Sequence, residues 1–218
     1  MSRQLLVINP NSSVAVTEGI DRAMAPLRAA TSTGIEVVRL KEGPPGIETQ
    51  QDVERVVPLI LRRVCEDNDA AAYVIACFSD PGLHAAREVT RRPVFGIAEC
   101  GILTALTLGA RFGLISILHQ VIPRHLRFLG AMGVTDRFAG DCAVGLKVTE
   151  LSDAKATFAR MKEVGVELRD RHGADVLVMA CAGMAEYRAG LAEALGIPVV
   201  EPSQAAASMA LGRIALGW

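Results

Sequence analysis

The residues of this sequence best suited to chemistry are two cysteines in matching contexts. Cys77 and Cys181 each follow an alanine at the end of a short apolar run, and each opens a turn that leads into an Ala-rich segment. A cysteine between a strand end and a helix start sits near unsatisfied backbone N–H groups and the positive end of the helix dipole. That setting lowers a thiol pKa from ~8.5 toward neutrality. Such a thiolate is a usable general base, and its protonated twin a usable general acid. One of each on opposite faces of a carbon acid is enough to invert a stereocentre, with no metal or cofactor. The enolate-like intermediate needs N–H donors, which the turns Phe78-Ser79-Asp80 and Ala182-Gly183-Met184 can supply. Cys65, Cys100 and Cys142 lack this context and read as small core hydrophobes.

The elements that must position the pair repeat along the chain. Residues 71–104 and 175–208 both run strand, Ala-Cys, short turn, Ala-rich helix, Pro, strand, acidic residue, helix. Pro93 lies 16 residues after Cys77, and Pro198 lies 17 after Cys181. Self-similarity of this kind points to two related lobes, each ending a strand in a cysteine. Ligands of open α/β sheets bind beyond the carboxyl ends of the strands, so two facing lobes would place the cysteines on opposite walls of one cleft.

Apolar runs rich in Val and Ile alternate with segments of helical period, which predicts βα units and mostly parallel sheets. The expected strands are Leu5–Ile8, Ile35–Leu40, Ala72–Ala76, Val94–Ile97, Phe112–Ile117, Cys142–Leu146, Val176–Ala180 and Pro198–Val200. Helices are expected over Thr49–Asp67, over Asp153–Arg171 and from Pro123 to Ala131, with Ser12 or Ser13 capping the first helix of the chain. Asn9-Pro10-Asn11-Ser12-Ser13, directly after the first strand, can hold a carbonyl or carboxylate or serve as a plain helix cap. Gly43-Pro44-Pro45-Gly46-Ile47-Glu48 is a rigid loop able to wall a pocket. His84 reads as a surface or helix-packing residue, His125 and His172 as surface residues, and His119 as a marginal candidate for the cleft.

Composition narrows the function. Half of the 218 residues are hydrophobic and the formal net charge is −1, with Lys and Arg scattered. The nearest approach to a basic cluster, Arg124–His125–Arg127, is diluted by Leu126 and Phe128, so neither nucleic acid nor an anionic membrane is an expected partner. No apolar stretch reaches the ~18 residues needed to span a bilayer. The N-terminal apolar run reads as a strand and not as a secretory signal. Five widely spaced cysteines with no C-x-x-C pair argue against disulfides and zinc and for reduced thiols in the cytoplasm. Phosphate-binding glycine motifs are absent.

The motifs INPNSS, GPPGIE, VIACFSDPGLHAARE, PVFGIAE, RFGLIS and VMACAGMAE followed by GIPVVEP together resemble the aspartate/glutamate/hydantoin racemase superfamily, in its hydantoin and allantoin racemase branch. The resemblance runs over nearly the whole chain. It implies two pseudo-symmetric α/β lobes, a cofactor-free two-cysteine mechanism, and a small-molecule substrate in the cleft between the lobes. The expected division is 1–97 with about 203–218 carrying Cys77, and 98–202 carrying Cys181, in a homo-oligomer. Cys77 and Cys181 match the catalytic pair, and Asn11, Ile47, Phe78, Ser79, Ser116, Ile117, Ala182 and Gly183 match positions that line the family's pocket. Two departures bear on the substrate: Ser79 stands where the branch commonly has glycine, and Ser116-Ile117 where it often has paired threonines. The expected pocket is neutral apart from Asp80, which suits a 5-substituted hydantoin better than an α-amino acid. The alternatives are an aspartate or glutamate racemase, a maleate isomerase or arylmalonate decarboxylase-like enzyme, and a non-catalytic ligand-binding module.

Overall fold

The computed structural model describes residues 4–67, 69–151 and 153–217. Its strands form two parallel sheets. The first contains β1 (Gln4–Asn9), β2 (Gly34–Arg39), β3 (Ala70–Ile75) and β4 (Val94–Gly96) in the order β2-β1-β3-β4. The second contains β5 (Phe112–Ser116), β6 (Phe138–Ala143), β7 (Val176–Met179) and β8 (Val199–Val200) in the order β6-β5-β7-β8. The two orders correspond strand for strand, which gives the internal repeat a structural form.

Nine helices of the described residues connect and cover the strands: α1 (Val14–Ala23), α2 (Ala25–Ala30), α3 (Gln50–Glu66), α4 (Leu83–Val89), α5 (Ile97–Leu108), α6 (Ile122–Met132), α7 (Ala154–Asp170), α8 (Arg188–Leu195) and α9 (Pro202–Leu216). The sheets are apolar on both faces because helices cover both. In β1, Leu5 and Val7 join one buried cluster while Leu6 and Ile8 join the other, as the twofold period of a strand requires. Helix α3 shows its buried stripe at Val53, Val56, Ile60 and Val64 and begins with a Thr49–Asp52 capping box. Cys65 lies one residue off that stripe and is exposed, which corrects the expectation of a core thiol there. Cys100 is buried and Cys142 is half-buried.

Helices α5 and α9 join the two halves. They pack against each other, and each also reaches the other sheet: α5 follows β4 and lies on β7, whereas α9 follows β8 and lies on β3 and β4. No helix of the described residues is long and apolar enough to cross a membrane.

The one displaced strand is β6, expected at Cys142–Leu146 and found at Phe138–Ala143. It is an edge strand of mostly half-buried residues, so its apolar pattern is weak, and it starts where Phe138 packs on Phe112 at a ring-centroid distance of 5.7 Å. The Val-Gly-Leu run that suggested a strand still bonds to the end of β5, but Gly145, with φ of 78°, turns the chain away.

Candidate active site

Each cysteine lies two residues beyond a central strand. Ala76 N–H donates to Ile8 O and Ala180 N–H to Ile115 O, both at 2.8 Å, so the two ladders are extended in the same way. The chain then turns: Asp80 N–H donates to Cys77 O at 2.9 Å, and Met184 N–H to Cys181 O at 3.1 Å. Within these turns the backbone N–H groups of Ser79 and Gly183 reach the sulfurs of Cys77 and Cys181. The first sulfur also takes the Ser79 hydroxyl. The side chain that departs from the branch's glycine therefore sits on Cys77 itself.

The two half-buried thiols line one narrow cleft of ≈ 440 Å³ of empty space, open mouth included. Asn11, Ile47, Phe78, Ser79, Ile117, Ala182 and Gly183 share its wall, together with Val16, Ala76, Val121, Arg124, His125, Val148 and Ala180. Asn11 is held by its Oδ1, which accepts from Asn9 Nδ2 at 3.0 Å and Ser13 N–H at 2.9 Å, and its amide N–H groups have no protein partner among the described residues. Ser13 caps α1, while Asn9 is fully buried and braces the loop through Thr17. The loop carrying Ile47 approaches so closely that a Cβ on Gly43 would stand 2.2 Å from Pro10 O. Glu48 then ties it across the cleft by accepting from Val148 N–H at 3.0 Å.

Four expectations are corrected by these surroundings. Ser116 does not line the cleft; it is fully buried behind Ile117, and its hydroxyl donates to Asp141. His125 is not a surface residue: it is 4% exposed, with Nδ1 2.8 Å from Asp141 Oδ2 and 3.2 Å from Ser116 Oγ. Its ring stands edge-on to Phe78, with the centroids 5.4 Å apart. With Nδ1 taken up by the carboxylate, Nε2 is the ring's remaining polar atom. Asp80 turns away from the cleft at a φ of 42° and accepts the N–H groups of Ala98 and Glu99, both at 2.9 Å, at the start of α5. Burial pushes this carboxyl up to about 7, against the pull of those two amides. Gly96 is required there, because a Cβ would lie 2.2 Å from the Asp80 carboxylate.

The acidic residues after β4 and β8 are likewise not equivalent. Glu201 is a buried cap for α9, whereas Glu99 pairs with Arg87 at the surface. His84 and His119 are exposed and stay outside the cleft wall.

The fourth correction concerns the thiols. Burial pushes Cys77 up to about 11 and Cys181 up to about 12 in the free protein. The anticipated lowering fails because α4 starts only at Leu83 and Cys181 opens a 3-10 turn, Ala182–Tyr187, so neither sulfur sits at the end of a long helix dipole. Desolvation therefore outweighs the N–H donors. Alkylation by iodoacetamide is accordingly expected to be slow at neutral pH and to accelerate about tenfold per pH unit toward alkaline values, because thiolate is the reactive form. Exposed Cys65 is labelled first and without regard to ligand, whereas cleft ligands slow labelling of Cys77 and Cys181. Mass spectrometry of the labelled peptides reads this directly. Flat, ligand-insensitive rates at the two cleft thiols would contradict it.

Arg124 escaped the sequence reading. Its signal was its place one residue after Pro123, in the first turn of the helix beyond the carboxyl end of β5, where an open sheet binds its ligand. Sequence spacing also hid a grouping outside the cleft wall: Cys142, Glu167 and His172 bring ligand-type atoms within 4.8 Å of one another.

Residues 5–210 match the family described as Asp/Glu/Hydantoin racemase. The chain belongs to that family. A hydantoin racemase from Paenarthrobacter aurescens is 36% identical to this racemase-family chain across 99% of it and 92% of the relative. A second hydantoin racemase, from Pseudomonas sp. (strain NS671), is 34% identical across 91% and 80% respectively. Among solved structures, the allantoin racemase from Klebsiella pneumoniae superposes with a TM-score of 0.94 at 32% identity, covering 99% of this chain and 89% of the other. The paired four-stranded sheets are thus the racemase fold.

Proposed function

We propose that this chain racemises 5-substituted hydantoins by proton transfer between two thiols. The observation that carries the reading is the placement of Cys77 and Cys181 at equivalent points of two equivalent sheets, both lining one cleft. The relatives' names supply the substrate class, and allantoin is itself a ureido-substituted hydantoin. One thiolate takes the C5 proton, while the opposing thiol returns a proton to the other face. Burial keeps both thiols protonated at rest, so the reactive form is the one in which one thiol has given its proton to solvent, and the N–H groups of Ser79 and Gly183 favour that thiolate. The ring's N–H and carbonyl groups find partners here, with the Asn11 amide as donor and His125 Nε2 as acceptor. No step draws on a metal or cofactor.

In this reading the working unit is two lobes, residues 1–97 with about 203–218 and residues 98–202. The exchange of α5 and α9 between the sheets supports that division. The free state of all five cysteines supports a cytoplasmic setting.

The test is polarimetry on enantiopure 5-substituted hydantoins, allantoin, aspartate and glutamate with EDTA present. Optical rotation is expected to decay to zero for the hydantoin-ring substrates and to persist for the amino acids. Turnover of aspartate or glutamate alone would overturn the proposal.

A further inference from the structure

The cleft holds one guanidinium, that of Arg124. Among the described residues lining it no carboxylate appears, and Arg124 carries its one permanent charge. The Arg124 Nε is buried and has no hydrogen-bond partner among the described residues. None of the ion pairs formed by the described residues includes this guanidinium. The groups that act on it electrostatically are the Cys77 sulfur, Arg127 and Asp52. Of these, Asp52 is occupied by the Thr49 capping box, and Arg127 points to Gln50. Burial holds the guanidinium below the usual arginine value, the direction expected of a cation short of a partner.

An unpaired, partly desolvated charge is costly to keep, and its usual resolution is a counter-ion of matching shape. A zwitterionic amino acid fits badly, because its carboxylate could meet Arg124 but its ammonium would find no carboxylate among the described residues of the wall. A neutral ring alone leaves the guanidinium unsatisfied. Resting on the racemase reading above, we infer that Arg124 recognises an anionic group at the end of the C5 substituent, so that the preferred substrates are carboxyalkyl hydantoins. The planar guanidinium presents a fork of N–H donors that matches a carboxylate in bidentate fashion. Ile117, Val121 and Val148 offer the apolar wall that a short methylene spacer requires. Where the branch's second threonine is replaced, the apolar Ile117 suits that spacer.

The experiment compares kcat/KM for 5-(2-carboxyethyl)hydantoin and its uncharged isostere 5-(2-carbamoylethyl)hydantoin. The proteins are the native chain and the variants Arg124→Gln, Arg124→Lys and Arg127→Gln, each checked by circular dichroism and thermal melting. The native chain is expected to favour the carboxylate roughly ten- to a hundredfold, the scale of one charge-assisted bidentate contact. That ratio falls to about one in Arg124→Gln, is partly kept in Arg124→Lys, and is unchanged in Arg127→Gln, whose side chain lies outside the cleft. If Arg124→Gln does not fold, a ratio in Arg124→Lys below the native one carries the same support.

A native ratio of one or less, with both hydantoins racemised, overturns the inference and leaves the racemase reading standing. So does an equal loss on both substrates in Arg124→Gln, which would assign the guanidinium to the thiol or the enolate. Absence of turnover with every hydantoin overturns the racemase reading and the inference together.

Discussion

Cys77→Ser and Cys181→Ser are each expected to lower racemisation by ~10²–10⁴-fold, the range for losing a positioned acid or base. Size barely changes, and both positions are half-buried, so the fold should survive. A serine hydroxyl is far too weak an acid or base to replace the thiol. The stronger signature is directional. In the two-thiol reading each cysteine serves one side of C5 and takes the proton of one enantiomer only. In heavy water the surviving thiol can remove that proton and return a deuteron to the same face. One variant then exchanges the C5 proton of one enantiomer without inverting it, and the other variant does so for the mirror image. NMR of the C5–H signal with each pure enantiomer measures this once spontaneous exchange is subtracted. Exchange of the same enantiomer by both variants, or near-native racemisation by either, would remove the two-thiol mechanism.

Asp141→Ala is expected to cost roughly 3–5 kcal/mol of stability, since it removes one partner from a buried, hydrogen-bonded charged network. The Asp141 side chain is 1% exposed and accepts from both Ser116 and His125, so its loss strands a hydroxyl and an imidazole nitrogen in the core. For a chain of this size each kcal/mol moves Tm by about 2–4 °C, so a drop on the order of ten degrees should appear in a thermal melt. Asp141→Asn keeps the volume and should melt closer to the native protein. Its amide can present an N–H where the ring donated, however, which disturbs the tautomer that leaves Nε2 for substrate. Activity in Asp141→Asn should accordingly fall further than its stability. A native-like Tm for Asp141→Ala would show that the network does not hold His125 in the cleft wall.

Much of this architecture is readable along the chain because its causes are local. Leu5–Ile8, Phe112–Ile117 and Val176–Ala180 are apolar on both faces, which is what a strand covered by helices on each side must be. Thr49 with Asp52, and Asp153 at the head of α7, announce their helix starts through side chains that reach only a few residues ahead. The paired Ala-Cys-turn segments are visible as a repeat, and the two sheets share one strand order because each repeat builds the same βα units. Where local signal is thin, as in the half-buried edge strand β6, the boundaries slip.

What one side chain does to another far along the chain was decided by tertiary structure alone. Ser116 and His125 each look unremarkable until Asp141, on the neighbouring strand β6, draws both into one buried network. Asp80 looks like a pocket acid until Gly96, with no side chain, leaves room for its carboxylate over the start of α5. The motif around each cysteine identifies a sulfur at a strand end, a property of sequence. How readily that sulfur loses its proton depends on how much water its surroundings in the fold exclude, and here exclusion wins over the local N–H donors. Arg124 follows the same rule. Its type is written in the sequence, but its lack of an ion pair exists only once the fold has brought together a cleft wall with no carboxylate among its described residues. Electrostatic environment is a sum over neighbours in space, and a sequence orders neighbours only along the chain.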